Sequence, residues 1–83
     1  KTLFRTKVSG MRIEKKAAKS FGRRLRQLRQ ERGWSQEELS TRADISKNYI
    51  GEIERGENNV SIHYIARLAA ALSVTMEEMF HGL

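Results

Sequence analysis

The feature that most constrains the fold is the spacing of apolar residues in a chain that contains no proline. From Ser20 onward, apolar side chains recur at intervals of three and four residues, with no sustained alternation at every second position. The first spacing places side chains along one face of an α-helix, whereas alternation is typical of a β-strand. The sequence therefore predicts an all-α fold.

Capping signals divide this region into five helices. A first helix is expected between Ser20, as its N-cap, and Gly33, as its C-terminal stop. Four further helices are expected over 36–43, 46–55, 61–72 and 75–80, because each follows or begins at a residue whose hydroxyl can accept a backbone hydrogen bond. These residues are Ser35, Ser46, Ser61 and Thr75.

Two of these N-caps resemble complete capping boxes, since Glu38 and Glu78 lie three residues after Ser35 and Thr75. The fourth helix has the longest apolar stripe, which consists of Ile62, Ile65, Leu68, Ala69 and Leu72.

Length and composition exclude several classes of protein. A chain of 83 residues is long enough for one small core. It has no cysteine and only two histidines, so a disulfide framework and a Cys/His zinc site are not expected. No apolar run approaches the roughly 18 residues that span a membrane, and we expect a cytoplasmic protein.

The charge is divided unevenly along the chain. Residues 1–34 contain twelve Lys and Arg against two acidic residues, a net charge of +10, whereas residues 35–83 contain four against eight, a net charge of −4. This division favours a polyanionic partner, with nucleic acid ahead of an anionic membrane, although solubility alone is another explanation. Residues 1–18 lack helical periodicity, so we expect a basic arm there, and a domain over 19–83. The segment 2–8 is compatible with an extended strand.

The second and third helices, joined by a tight turn, match a helix-turn-helix, in which the second helix of the pair lies in the major groove. If Ile50 and Ile53 are buried, the opposite face carries Lys47, Asn48, Gly51, Glu52 and Arg55. Lys can bind guanine, Asn can bind adenine through two hydrogen bonds, and Glu can accept from cytosine. An ordinary solvated helix face is the alternative.

The region from Phe21 to Phe80 resembles the Cro/C1-type helix-turn-helix family of repressors. The segments that carry this resemblance are Arg24 to Arg29, Gly33 to Leu39, Tyr49 to Gly56, Ile65-Ala66 and Ala70 to Leu72. The stretch from Ile53 to Phe80 looks especially like the short controller proteins of restriction-modification systems.

This resemblance implies a five-helix, lambda-repressor-like domain that binds double-stranded DNA as a homodimer on a palindromic operator. It assigns base reading to Lys47, Asn48 and Glu52. It also implies that Arg29 and Glu54 form an internal salt bridge, and that Gln36 either braces the third helix or meets a phosphate. The expected contacts with the DNA backbone are Ser35, Gln36, Ser46, Tyr49, Arg55, Asn58 and Asn59.

Three local features leave alternatives open. Tyr49 could reach a phosphate or pack against the second helix. Asp44 stands where many family members have glycine in the turn, and Asp tolerates the left-handed conformation better than most residues. Gly51 is unusual in a helix interior, and close approach to DNA is one explanation.

The last helix is too short to bury all of its apolar residues against a single neighbour. We therefore expect Met76, Met79 and Phe80 to contribute to a dimer interface, although they could instead, or also, close the core of one chain.

Other functional classes are less well supported. There is no Gly-rich phosphate loop and no histidine near a plausible nucleophile, so we expect neither an enzyme nor a cofactor, metal or small-molecule substrate. An antitoxin-like module that binds a protein as well as DNA is the alternative to a regulator, and a membrane-binding basic helix is a third hypothesis.

Overall fold

The computed structural model describes residues 15–83, which form five α-helices. The helices are α1 (Lys15–Glu31), α2 (Gln36–Ala43), α3 (Lys47–Glu54), α4 (Ile62–Leu72) and α5 (Met76–Met79). The all-α prediction and the order of the five helices are confirmed.

Helix α1 begins five residues before the predicted N-cap at Ser20. Ala18 is buried on the same face as Phe21, so the apolar stripe extends one turn further than expected. The prediction that Ser20 caps the helix is wrong, because its hydroxyl lies inside α1 and accepts a hydrogen bond from Arg23 at 3.3 Å. Residues 15–18, expected in the arm, are therefore helical, whereas the rest of the arm, including the segment 2–8, lies outside the described residues.

The end of α1 follows the prediction. Gly33 adopts a left-handed conformation with φ of 74°. Its N–H donates to the carbonyl of Gln30 at 2.9 Å, and the N–H of Trp34 donates to that of Arg29 at 3.2 Å. These bonds satisfy carbonyl groups at the helix end that have no intrahelical partner.

All four N-caps after α1 are confirmed. The hydroxyls of Ser35, Ser46, Ser61 and Thr75 accept hydrogen bonds from backbone N–H groups three residues later, at 3.0, 3.1, 3.4 and 3.0 Å. The capping box at Thr75 is complete, since its N–H donates to Glu78 at 2.8 Å. The box predicted at Ser35 is only half formed, because Glu38 instead pairs with Arg42, one turn further along α2, at 2.7 Å.

All five helices contribute buried residues to one core, in which α3 packs against both α1 and α2. Phe21, Leu25, Ile50, Leu68 and Leu72 are each 0% exposed. Four of the five residues of the predicted α4 stripe are buried. The fifth, Ile62, is the first residue of α4 and is 44% exposed. Among residues 15–83, no helix combines the length and apolar character needed to cross a membrane.

Candidate nucleic-acid interface

The turn between α2 and α3 is held in a defined conformation. Asp44 has φ of 57° and ψ of 49°, which is the left-handed conformation. Aspartate adopts this conformation more readily than most other residues except glycine. Ile45 follows and is buried, and its N–H donates to the carbonyl of Ser40 at 3.1 Å. Arg67 of α4 donates to the carbonyl and the carboxylate of Asp44 at 2.7 and 3.1 Å. The turn is therefore tied to the core on one side and to α4 on the other.

A buried ion pair fixes α3 relative to α1. Arg29 donates through Nε and Nη2 to both carboxylate oxygens of Glu54, at 2.7 and 2.9 Å. The side chains of Arg29 and Glu54 are only 10% and 4% exposed. Hydrogen bonding to Glu54 raises the pKa of Arg29 above its ordinary value, and burial opposes the shift. The expected internal salt bridge is confirmed.

The same carboxylate also binds α2. Gln36 donates through Nε2 to Glu54 at 3.0 Å, and Arg29 donates to the carbonyl of Trp34, just before α2, at 2.8 Å. Of the two roles expected for Gln36, the structure contains the bracing contact. One buried carboxylate thus connects α1, α2 and α3, so the orientation of α3 depends on it.

Gly22 is a positioning residue that the sequence reasoning did not identify. A Cβ at this position would lie 2.7 Å from the carbonyl oxygen of Glu54 and closer still to that of Ile53. The backbones of α1 and α3 can approach this closely only because residue 22 has no side chain. A glycine inside the apolar pattern of α1 is the signal that could have indicated this contact.

The outer face of α3 begins with two exposed polar residues. Lys47 and Asn48 follow the exposed N-cap Ser46 and are themselves exposed. On the opposite face, Ile50 and Ile53 are 0% and 1% exposed, as predicted. Neither Lys47 nor Asn48 forms a side-chain hydrogen bond or ion pair within residues 15–83. Both side chains are therefore available to an external partner.

The remaining predicted positions on this face have internal contacts. Glu52 is half-buried and accepts a hydrogen bond from the side-chain amide of Asn58. Gly51, expected on the outer face, is buried, because the side chains of Gln36 and Arg55 cover it. A Cβ there would lie 3.2 Å from Nη1 of Arg55 and 3.6 Å from Oε1 of Gln36. A Cβ at position 51 would require the exposed end of the Arg55 side chain to move by a few tenths of an ångström.

Arg55 and Glu57 form an exposed pair at the start of the loop that follows α3. Arg55 donates through Nε and Nη2 to the two carboxylate oxygens of Glu57, at 2.8 and 3.1 Å. This bonding raises the pKa of Arg55 and lowers that of Glu57. Arg55 was predicted to contact the DNA backbone, and Glu57 competes with phosphates for its guanidinium group. Asn59, at the end of this loop, is exposed.

Tyr49 packs against α4. Its ring lies 5.1 Å from that of Tyr64 in an edge-to-face arrangement, and the residue is half-buried. Together with Asp44, Ser46 and Arg67, the two tyrosines line a shallow groove beside the turn. The structure therefore gives Tyr49 a packing role in which its partner is Tyr64 of α4.

The three apolar residues predicted for a dimer interface differ in burial. Met79 is 0% exposed within the single chain, so its side chain belongs to the core and has no surface to offer a second chain. Met76 and Phe80 are half-buried, and the ring of Phe80 lies 5.7 Å from that of Phe21. Arg24 fixes this end by donating to the carbonyl of Glu78 at 3.0 and 2.6 Å.

Two short helices joined by a tight turn, with the second held rigidly and its outer face polar, define a helix-turn-helix domain. The family model for helix-turn-helix proteins matches residues 25–79. The chain belongs to this family, in its Cro/C1-type branch of DNA-binding transcriptional regulators.

Known relatives agree with this assignment. The chain is 36% identical over 64 residues to the control protein C.MunI of a Mycoplasma species, a match that covers 76% of this chain and 86% of the relative. The crystal structure of the restriction-modification controller protein C.AhdI from Aeromonas hydrophila has a TM-score of 0.76 and 42% identity, and covers 78% of this chain and 98% of that one.

A second similar structure contains DNA. It is the regulator of biofilm formation SinR in complex with DNA, with a TM-score of 0.68 and 35% identity, covering 71% of this chain and 95% of that one. The chain spans only about half of some longer regulators that it matches, between 46% and 56% of their length.

Proposed function

We propose that this transcriptional regulator binds as a homodimer to a palindromic operator, with α3 in the major groove. The observation that carries the proposal is the exposure of Lys47 and Asn48 at the start of a helix whose orientation is fixed by Glu54. A rigidly held helix with free polar side chains at its N-terminal end fits the docking geometry of helix-turn-helix proteins. Its similarity to control proteins suggests a controller of the restriction-modification type.

In this proposal, Lys47 and Asn48 read bases directly. Glu52 has a different position, because Asn58 already binds its carboxylate. Glu52 can accept a hydrogen bond from a cytosine only if the lone pairs that Asn58 leaves unoccupied face the groove. At sites without such a cytosine, its negative charge repels the phosphates. This acid should therefore increase selectivity more than affinity.

Contacts with the sugar-phosphate backbone come from the two helix N-termini and from the loop after α3. Ser35 and Gln36 lie at the start of α2, and Ser46 lies at the start of α3, where the helix dipole favours anions. Asn58 and Asn59 extend this line beyond α3. Arg55 and Tyr49 also contact phosphates when they leave their internal partners, Glu57 and Tyr64.

The dimer forms through the end of the chain that carries α5. Met76 and Phe80 are the half-buried apolar residues there, and Leu83 is 52% exposed. A two-fold dimer uses the same patch on both chains, so symmetric half-sites about one DNA turn apart are expected.

Selection of binding sites from random duplex DNA tests this proposal. Enriched duplexes should contain two inverted half-sites, and affinity should fall steeply as salt rises. Sedimentation should give a dimer for the unchanged chain and a monomer for Met76→Gln/Phe80→Gln, with the exposed Ile62→Gln as a matched control. Equal affinity for selected and scrambled duplexes would refute specific recognition, and an unchanged dimer would move the interface elsewhere.

A further inference from the structure

The basic residues of the structure fall into two groups. Seven arginines form hydrogen bonds or ion pairs with other parts of the chain: Arg23, Arg24, Arg29, Arg32, Arg42, Arg55 and Arg67. Five cations form neither within residues 15–83: Lys15, Lys16, Lys19, Arg26 and Lys47. Lys47 belongs to the proposed reading face, and the other four lie on α1.

Three of these four cations lie on one side of α1. At about 100° per residue, positions 15, 19 and 26 fall within about 40° of one another. Gly22 lies at the edge of this sector, and it is the residue at which the backbone of α1 meets that of α3. Lys15, Lys19 and Arg26, here called the α1 basic stripe, therefore border α3.

The stripe is continuous with the loop that follows α3. A Cβ on Gly56 would lie 2.8 Å from Cα of Lys19, so this part of α1 touches the loop directly. Lys15 lines a shallow groove together with residues 56–59. Within that loop, Asn58 binds Glu52 on the outer face of α3. A connected surface thus leads from the proposed reading face across the loop to the start of α1.

We propose that the α1 basic stripe is a second DNA-binding surface, which holds backbone phosphates flanking the bases that α3 reads. This proposal rests on the proposed function, because it requires α3 to lie in the major groove. Positions 15 and 26 are about 16 Å apart along the helix, and phosphates on one strand rise about 3.4 Å each. The stripe can therefore follow several successive phosphates, and lysine suits this role as a compact, flexible charge.

The side of α1 that lies further from α3 provides a matched control. Lys16 and Arg23 lie within about 20° of each other, about 80–100° from Lys15 and about 40–60° from Lys19. They are about 100–120° from Gly22, the residue at which α1 meets α3. Arg23 lines a different groove, together with His81 and Leu83 at the end of the chain. The variants Lys15→Gln/Lys19→Gln and Lys16→Gln/Arg23→Gln remove the same charge from exposed positions of one helix, and circular dichroism checks that both keep their helix content.

The experiment measures the affinity of each variant for a duplex with the selected operator, and for a scrambled duplex, over a range of salt concentrations. Loss of two phosphate contacts should lower the slope of log affinity against log salt by about 1.8. We expect Lys15→Gln/Lys19→Gln to show this change on both duplexes, with about tenfold weaker binding at low salt. The control pair should keep the slope of the unchanged chain.

The outcomes separate the two proposals. If the unchanged chain does not prefer the operator, specific recognition through α3 fails. If it does prefer the operator and Lys15→Gln/Lys19→Gln keeps the full slope, the stripe proposal alone is overturned. An equal loss of slope in the control pair overturns it as well, since net charge would then be sufficient. If Lys15→Gln/Lys19→Gln binds both duplexes normally but binds vesicles with phosphatidylserine more weakly than the unchanged chain does, the stripe is a membrane-binding surface and the DNA proposal is overturned.

Discussion

Glu54→Ala is the substitution that most sharply tests how α3 is positioned. The carboxylate is 4% exposed and accepts two hydrogen bonds from Arg29 and one from Gln36. Its removal leaves a guanidinium that is only 10% exposed without its counter-charge. Breaking a buried pair from one side costs about 3–5 kcal/mol. Small domains have a free energy of unfolding of about 0.05–0.15 kcal/mol per residue, which gives roughly 4–12 kcal/mol for a domain of this size. The loss expected for Glu54→Ala is therefore a large fraction of the total.

The chain contains a well-matched control for this substitution. Glu38 and Arg42 form an ion pair of the same length, 2.7 Å, but their side chains are 45% and 50% exposed. Glu38→Ala should therefore cost less than about 1 kcal/mol, because solvent screens an exposed pair. Urea denaturation followed by far-UV circular dichroism measures both free energies of unfolding.

A double variant separates the lost ion pair from general damage to packing. Replacement of both partners, Arg29→Met/Glu54→Leu, removes the unpaired charge and should recover more than half of the loss seen in Glu54→Ala. If Glu54→Ala is no more destabilising than Glu38→Ala, the buried pair does not hold α3 and this reasoning is refuted.

Three further predictions concern the surroundings of α3. Gly22→Ala places a methyl group against the carbonyl oxygens of Ile53 and Glu54, so it should lower the free energy of unfolding by about 1–3 kcal/mol or more and weaken operator binding; unchanged thermal unfolding would contradict the close contact. Glu57→Gln frees Arg55, so the salt slope for any duplex should steepen by about 0.9, and an unchanged slope would show that Arg55 does not reach DNA. The bond to Arg55 lowers the pKa of Glu57, so the ion pair is complete at any pH above the ordinary pKa of a glutamate and is lost only as the pH falls through the lowered pKa. DNA binding by the unchanged chain should therefore not respond to the titration of Glu57 between about pH 6 and 8.

The sequence predicted those parts of the fold that depend on local chemistry. The N-caps at Ser35, Ser46, Ser61 and Thr75 each need one hydroxyl and a following backbone N–H, and all four are present. The start of α1 was missed, because Ala18 is a weak apolar signal on its own.

Features that depend on distant neighbours were harder to predict. Gly51 lies on the outer side of α3 by periodicity, but it is buried because Gln36 and Arg55 fold over it. Likewise, the contact of Glu52 with Asn58, and the complete burial of Met79, follow from tertiary packing that helical spacing does not encode.

The central claim is that the outer face of α3 reads DNA bases. The most direct test compares the affinities of Lys47→Ala and Asn48→Ala for the selected operator and for a scrambled duplex, with the exposed Lys16→Ala as a control. Loss of a base contact should cost about 1–3 kcal/mol, or about 5- to 150-fold, on the operator and leave the scrambled duplex nearly unaffected. Equal losses on both duplexes, or no loss on the operator, would contradict base reading by this helix.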